Sequence, residues 1–267
     1  MVNISIIMSV YNSGNEKMLK TCIESIRNQS NSEWEMIICD DGSSDCTYEL
    51  IKKLCQKDSR IIIIRNPTNM KASAARNRCL SLAVGQYIAI MDADDYSAAN
   101  RLEAQFNYLE NNAKVDFVGT GACLFDESGV WGTRIYAKQP VERDFLFVLP
   151  FVHASIMFRR EALQNVGGYN ESWKVVRSED YDLIMRLYKA GYRGANMKQQ
   201  LYHVREDQDA FRRRKYRYRW NEMIVRFEGF KGMGLLPAAW PYVIKPLIVG
   251  LIPHKFLQFL KEKHYNK

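Results

Sequence analysis

The strongest constraint on the fold is a regular alternation of apolar runs with helix-like segments in the first third of the 267-residue chain. Four uncharged runs have the length of a strand and are typical of strands buried on both faces: Ile4–Val10 and residues 36–39, 61–64 and 87–91. Between them, apolar residues recur at helical spacing after Met18, after Tyr48 and over residues 72–83. This order predicts an α/β fold with a doubly wound, mostly parallel sheet.

Acidic and small polar residues follow three of the predicted strands. Tyr11 and Asn12 come after the first strand, DDGSSD (40–45) after the second and DADD (92–95) after the fourth. Ligands of such sheets bind beyond the carboxyl ends of the strands, so these residues mark the predicted binding site. The chain has no G-x-G-x-x-G after the first strand and no G-x-x-x-x-G-K-[ST], which counts against dinucleotide and P-loop chemistry.

The second half of the chain is less regular. Residues 154–158 read as a further strand and residues 167–168 as a turn. Ser178 can cap a helix with a buried apolar face that ends before Gly191. A basic helical stretch follows from about Gln208, with Arg212 to Lys215 at its start, so we expect a helical, basic C-terminal extension.

The DADD segment has the chemistry of a metal site. Alternate carboxylates that leave a buried strand can converge on one hard cation, and Mg²⁺ or Mn²⁺ prefers oxygen ligands together with waters and a diphosphate. The alternative is a solvated turn that caps the following helix. The position directly after a strand favours the metal site. Asp41 has two similar interpretations: it is either a turn residue or a group that binds a base. Tyr11 is either an aromatic residue at the rim or a ring that stacks on that base.

Five short motifs occur in a characteristic order: SVYN (9–12), DDGSSD (40–45), AARN (74–77), DADD (92–95) and ED (179–180). Together they resemble the inverting glycosyltransferases of family 2, which have the GT-A fold, over about residues 3–205. The resemblance implies a GT-A-like catalytic domain at 1–204, with a nucleotide-binding half (1–97) and an acceptor-binding half (98–204). Residues 205–267 would then form the basic and apolar tail.

The resemblance also implies a site. The donor is a nucleotide-sugar, usually a UDP-sugar, and Tyr11 and Asp41 hold its base, with Asn12 in the same donor site. The resemblance also implies that Asp92 lies near the ribose and Arg76 near the diphosphate or the uracil loop. Asp94 would be a ligand of Mn²⁺ or Mg²⁺. The family often has Gly where this chain has Lys71.

Asp180 is the predicted general base. Inverting transfer is a single displacement in which an acceptor hydroxyl attacks the anomeric carbon, so that hydroxyl needs a base. In the first turn of a helix, the dipole favours the ionised form of Asp180 by about 0.3–1 kcal/mol. The alternative is that Asp180 only complements the helix dipole. The resemblance to the family favours the role of general base. Glu179 is expected to orient the acceptor.

Three further residues are predicted for the site. The resemblance makes His203 a possible third metal ligand, although a lone His is more often structural. His153, before the predicted strand of the second half, is expected to line the acceptor side or to pack there. Trp173 can offer a stacking platform for a sugar or merely cover the core.

The net charge of +8 is concentrated in the tail. Residues 1–204 hold 24 basic and 24 acidic residues, whereas residues 205–267 hold 14 and 6. Residues 235–253 are apolar but broken by Lys245 and four prolines, so we expect no membrane span. The basic residues 212–219, with the aromatic residues Trp240, Tyr242, Phe256 and Phe259, predict binding to an anionic membrane. The alternative is that the tail packs on the catalytic domain or forms a homodimer.

Two other classes of protein fit parts of this sequence. The basic, aromatic stretch at 212–220 suggests a nucleic-acid-binding protein, but the carboxylates of a neutral first domain would repel a phosphate backbone, so no nucleic acid is expected. A nucleotidyltransferase would need a Gly-rich basic loop that residues 9–15 lack. Six cysteines and no export signal predict free thiols in the cytoplasm. We therefore expect a metal-dependent glycosyltransferase on the inner face of the membrane, with a lipid-linked or polysaccharide acceptor.

Overall fold

The first half of the chain folds as parallel strands joined by helices. The computed structural model describes residues 2–206 and 216–252. Its first elements are, in order, β1 (Ile4–Val10), α1 (Glu16–Arg27), β2 (Trp34–Asp40), α2 (Thr47–Cys55), β3 (Ile61–Arg65), α3 (Lys71–Leu82) and β4 (Tyr87–Asp92). β1 pairs in parallel with both β2 and β4, and β2 pairs in parallel with β3. The predicted α/β alternation is confirmed.

The second half extends the same sheet with mixed pairings. It contains β5 (Tyr96–Ser97), α4 (Arg101–Glu110), β6 (Phe117–Asp126), β7 (Gly129–Arg134), β8 (Met157–Arg159), α5 (Arg160–Asn165), α6 (Glu179–Lys189) and β9 (Gly194–Arg205). The strand order is β3-β2-β1-β4-β8-β6-β9-β5, with β7 on β6. β6 and β9 are parallel, whereas β8 is antiparallel to both β4 and β6.

The sheet is covered on both faces. Successive side chains of a strand point to opposite faces, so Ile6 and Met8 pack with α1 and α2 while Ile7 packs with α3 and α6. All three side chains are fully buried. This arrangement is the doubly wound sheet that the sequence predicts, and it brings the loops after β1, β2 and β4 to one edge.

The described part of the C-terminal tail packs on the domain. Helices α7 (Arg217–Gly232) and α8 (Trp240–Val249) bury Val225, Phe230, Ala239 and Val243 in the core on the α3 and α6 side of the sheet. The predicted start of a basic helix near Gln208, the cluster 212–215, and Pro253, Phe256 and Phe259 lie outside the described residues. Within those residues, none of the helices has the length and apolar character needed to cross a membrane.

The prediction of a strand at 154–158 is wrong in its first half. Residues His153–Ser155 form a 3-10 turn, and the strand covers only Met157–Arg159. The hydroxyl of Ser155 donates to the carbonyl of Val152 at 2.7 Å and accepts from the Thr120 N–H at 3.0 Å. These side-chain bonds, one within the turn and one to β6, compete with strand pairing.

Candidate active site

Asn12 joins the loops that follow β1 and β2. Its N–H donates to the Ser43 hydroxyl at 2.9 Å, and its side-chain carbonyl accepts from the Ser44 N–H at 2.9 Å. Asn12 has a positive φ of 47°, a conformation that Asn tolerates better than most residues. Tyr11 beside it is 46% exposed, so its ring is available to a ligand at this edge.

Asp41 organises the loop between β3 and α3. One carboxylate oxygen accepts from the Asn66 amide at 2.6 Å and from the Met70 N–H at 2.9 Å, and the other accepts from the Lys71 N–H at 2.9 Å. Lys71 has a φ of 76°, so this chain keeps the left-handed conformation without a glycine. Asp41 is thus a buried carboxylate that fixes the shape of this loop.

Arg76 and Asp92 form a half-buried ion pair. A guanidinium nitrogen of Arg76, on α3, lies 2.8 Å from a carboxylate oxygen of Asp92 at the end of β4. The same guanidinium lies 5.5 Å from the centre of the Tyr169 ring. Burial opposes its charge, but the neighbouring Asp92, with smaller effects of Tyr169 and Glu179, raises the pKa of Arg76 above its usual range. Arg76 thus remains a cation between Asp92 and the Tyr169 ring.

A buried network of hydrogen bonds, which the sequence did not predict, supports the DADD segment (92–95). The Asp92 N–H donates to the Tyr202 hydroxyl at 3.1 Å, and Asp95 accepts from the Arg205 N–H at 2.7 Å. The fully buried Arg101 lies over the Tyr202 ring at 4.7 Å. Burial, together with the charges of Asp94 and Asp92, raises the pKa of Asp95 well above its ordinary value. The motif DADD contained a signal for Asp95, but nothing in the sequence paired Tyr202 with it.

An open cleft of about 260 Å³ lies beside the carboxyl end of β4. Its wall combines carboxylates, one arginine, one histidine and an apolar rim: Asp92, Asp95, Arg134, Tyr136, Val148, Leu149, Phe151, Val152, His153, Ala154, Asp180 and Val204. Asp92 and Asp180, predicted for the donor and the acceptor respectively, therefore line one cavity. Such a concave site with a few convergent polar groups is typical of small-molecule binding.

Asp180 lies at the start of α6 as predicted. Its pKa is raised, however, whereas the helix dipole alone would lower it. Burial, followed by the charge of Glu179, raises the pKa of Asp180 from 3.8 to about 6. A shift of that size corresponds to about 3 kcal/mol, which exceeds the 0.3–1 kcal/mol expected from the helix dipole. Ser178 occupies the N-cap position, yet its side chain makes no capping hydrogen bond. Asp180 is thus ionised at neutral pH but close to its titration range.

His153 and Tyr169 form a buried pair at the cleft. The Nε2 atom of His153 lies 2.9 Å from the Tyr169 hydroxyl. Burial, followed by the charge of Arg76, lowers the pKa of His153 to about 3, so its ring is neutral. Trp173 lies elsewhere: its side chain is 69% exposed, and its carbonyl accepts from the Asn221 amide at 3.1 Å. The structure therefore brings His153, but not Trp173, into the cleft wall.

Asp94 fits a metal site in which a bound molecule and waters supply the remaining oxygen atoms. Its exposed side chain lies just beyond the carboxyl end of β4, next to the buried Asp95 and two residues after Asp92. Among the residues described, no three His, Cys, Asp or Glu side chains form a group that could hold a metal ion alone. His203 stacks on Tyr96 at 4.1 Å and is not brought into such a group. Because a hard cation keeps waters and takes diphosphate oxygens, one or two carboxylates fit this role.

The family model described as glycosyl transferase family 2 matches residues 5–167, more than half of the chain. The chain belongs to glycosyl transferase family 2. A second family model, glycosyl transferase family group 2, matches residues 87–261. The protein is thus a glycosyltransferase, and the resemblance noted from five short motifs is confirmed. This membership removes the grounds for the nucleotidyltransferase and nucleic-acid-binding alternatives.

Two relatives show how much of the chain this similarity covers. The glycosyltransferase is 41% identical to EpsE of Bacillus subtilis (strain 168), which is named as a glycosyltransferase, over 94% of this chain and 90% of EpsE. It is 32% identical to WfaP of Escherichia coli, named as a UDP-Glc:alpha-D-GlcNAc-diphosphoundecaprenol beta-1,3-glucosyltransferase, over 72% of this chain and 73% of WfaP.

The solved structure supports the fold. The mannosyltransferase PcManGT of Pyrobaculum calidifontis, in complex with GDP-Man and Mn²⁺, has a TM-score of 0.64 at 18% identity. The similarity covers 97% of this chain and 79% of that one. The GT-A-like fold class is therefore confirmed.

Proposed function

We propose that this enzyme transfers a hexosyl or N-acetylhexosaminyl group from a UDP-sugar to a hydroxyl of a lipid-linked or polysaccharide acceptor, with inversion. The observation that carries this proposal is the single cleft that Asp92 and Asp180 share. Because the cleft joins the predicted donor side to a carboxylate base, both reactants can meet in it. The substrates that the name of WfaP gives, UDP-Glc and alpha-D-GlcNAc-diphosphoundecaprenol, support the same pair of substrate classes.

The donor half is proposed to be residues 1–97. The exposed ring of Tyr11 stacks on the base, and Asp41 binds it from below through the oxygen positions that its loop contacts leave. Asn12 holds the two loops together, since its carbonyl oxygen is bonded to Ser44. Asp92 binds the ribose. Arg76, held against Asp92, is placed to neutralise the diphosphate as charge develops on it.

The acceptor half is proposed to be residues 98–204, with Asp180 as general base. Asp180 accepts the proton of the acceptor hydroxyl while that oxygen forms its bond to the anomeric carbon. The bond from the anomeric carbon to the diphosphate breaks at the same time, and its electron pair leaves with the nucleotide. Glu179 and His153 orient the acceptor from either side of the base, and Trp173 would contact only an acceptor long enough to leave the cleft.

A divalent cation, Mn²⁺ or Mg²⁺, is proposed at Asp94. When bound, it stabilises the negative charge of the leaving diphosphate. The Mn²⁺ ion in the PcManGT complex supports this choice of cofactor. Asp94 alone is proposed as a protein ligand, because the His203 ring stacks on Tyr96 and His203 belongs to no group of three potential ligands among the described residues.

The enzyme is proposed to act on the cytoplasmic face of the cell membrane, where a lipid-linked acceptor would be presented. The excess of positive charge in residues 205–267 supports contact with an anionic surface. The six cysteines are all free thiols, which agrees with a reducing compartment.

The test is a transfer assay with a panel of UDP- and GDP-sugars, Mn²⁺ or Mg²⁺, and extracted lipid acceptors. We expect one UDP-sugar to give a glycosylated lipid or glycan whose new linkage has the inverted anomeric configuration. Retention of configuration would contradict the single displacement. Transfer of the nucleotide instead of the sugar would contradict the proposed reaction class.

A further inference from the structure

The outer face of α8 consists of apolar side chains exposed to solvent. We use this name for five residues of α8 and the turn after it: Trp240, Pro241, Ile244, Ile248 and Leu251. Four of them are large, with exposed fractions of 48%, 43%, 57% and 75% for Trp240, Ile244, Ile248 and Leu251. The opposite side of the helix buries Val243 and Pro246. Since a solvated helix normally presents polar residues outward, this face is typical of a binding surface.

The outer face is connected to the rim of the cleft. Tyr242, on the flank of α8, contacts the Phe147 ring at 5.1 Å, and the Nζ atom of Lys245 donates to the Phe147 carbonyl at 2.9 Å. Phe147 is itself 58% exposed. The next two residues, Val148 and Leu149, line the cleft. An apolar surface therefore runs from α8 across residues 147–149 to the cavity that holds Asp180.

Cations lie beside this surface. Lys245 is the one charged residue of α8. An added Cβ at Gly250 would lie 3.0 Å from the side chain of Arg219, which pairs with Glu222 at 3.1 Å, so Arg219 is adjacent to the end of the outer face. Arg217, at the start of α7, is exposed. Apolar side chains and a tryptophan flanked by cations suit the boundary between the headgroups and the hydrocarbon of an anionic bilayer.

We infer that the outer face of α8 and residues 147–149 dock on the surface of an anionic bilayer, with the mouth of the cleft held against the headgroups. A lipid-linked acceptor could then enter over the Phe147 rim without leaving the membrane, and its polar group would reach Asp180. The reason for such docking rests on the proposed lipid-linked acceptor. The docking surface itself does not depend on the donor or on the metal.

The test is flotation of the full chain with vesicles of phosphatidylglycerol and phosphatidylethanolamine. The variant Ile244→Gln/Ile248→Gln removes apolar surface without changing the charge. Its matched control is Leu82→Gln/Val84→Gln, at two side chains that are 44% and 61% exposed and that precede β4, at the opposite end of that strand from Asp92. We expect the α8 variant to bind vesicles at least about tenfold more weakly than the wild type, and the control to bind normally.

Two further measurements separate the possible failures. Calorimetry with UDP and Mn²⁺ should give the same affinity for the wild type and both variants, so loss of UDP binding in all three would count against the proposed function and not against docking. Light scattering reports the oligomeric state. A wild-type chain that does not float, an α8 variant that floats as well as the control, or a dimer that this variant converts to monomer would each overturn the inference.

Discussion

A guanidinium nitrogen of Arg76 lies 2.8 Å from a carboxylate oxygen of Asp92, and this contact sets a buried cation against a carboxylate of the cleft wall. Arg76 belongs to the helix after β3, while Asp92 ends β4 and lines the cleft with Asp180. Arg76 also lies 5.5 Å from the centre of the Tyr169 ring, and the charge of Glu179 favours its protonated form, so this buried cation contacts the segment before α6 as well as the end of β4.

The first prediction concerns the metal. EDTA should abolish transfer and Mn²⁺ or Mg²⁺ should restore it, since the leaving diphosphate then regains its counter-charge. Asp94→Ala should lower kcat by about 10²-fold or more while the thermal unfolding midpoint stays unchanged, because the side chain is exposed. The control is Glu127→Ala, whose carboxylate is 92% exposed and lies 3.5 Å from Arg205. Full activity in EDTA would remove the metal from the mechanism.

The second prediction concerns Asp41. Asp41→Asn places an amide where N–H groups of Met70 and Lys71 now donate, so we expect a loss of about 1–3 kcal/mol in the free energy of unfolding. Donor affinity should fall at least tenfold in calorimetry. The control is Asp126→Asn, which alters a similar contact with Ser128 in another turn. Unchanged donor affinity in Asp41→Asn would show that its loop does not bind the base.

The sequence could predict the first half of the fold because its pattern is local. Each strand from β1 to β4 contains a short apolar run, and the polar residues after β1, β2 and β4 mark the predicted site. Residues 153–155 could not be assigned in this way, because their 3-10 turn depends on Ser155 bonding to Thr120 on a distant strand.

The protonation of the site could not be predicted from the sequence for the same reason. A first-turn aspartate suggests stabilisation by the helix dipole, but its actual pKa depends on burial in a cleft and on the nearby Glu179. The support of Asp92 and Asp95 by Tyr202 likewise joins residues more than a hundred positions apart. In contrast, the order of the motifs was enough to identify the family.

The third prediction links Asp180 to stability. Its pKa rises from an ordinary value of 3.8, which applies to the unfolded chain, to about 6 in the folded protein. Raising the pH through that interval therefore removes a proton that the native state holds more tightly than the unfolded state does. Stability from this group is present below about pH 4 and lost above about pH 6. Asp180→Asn should therefore be more stable than the wild type by about 1–3 kcal/mol at pH 8, and equal to it at pH 4, in urea unfolding.

A control on the same helix should change in the opposite direction. Asp182 forms an ion pair with Arg186 at 2.7 Å, so Asp182→Asn should destabilise the protein at pH 8. If Asp180→Asn were also destabilised at pH 8, Asp180 would be a structural residue of the first turn and not an acid held in an unfavourable environment.

The most direct test of the proposed mechanism is the pH dependence of transfer by the wild type beside the activity of Asp180→Asn. For the wild type, kcat/KM should fall about tenfold per pH unit below pH 6 and level off above it, because a base must be ionised to accept the hydroxyl proton. Asp180→Asn should lose about 10²–10⁴ in kcat at every pH while its donor affinity, measured by calorimetry, stays within about twofold of the wild type. Activity of this variant within about tenfold of the wild type, or loss of donor binding together with activity, would contradict the assignment of Asp180 as the general base.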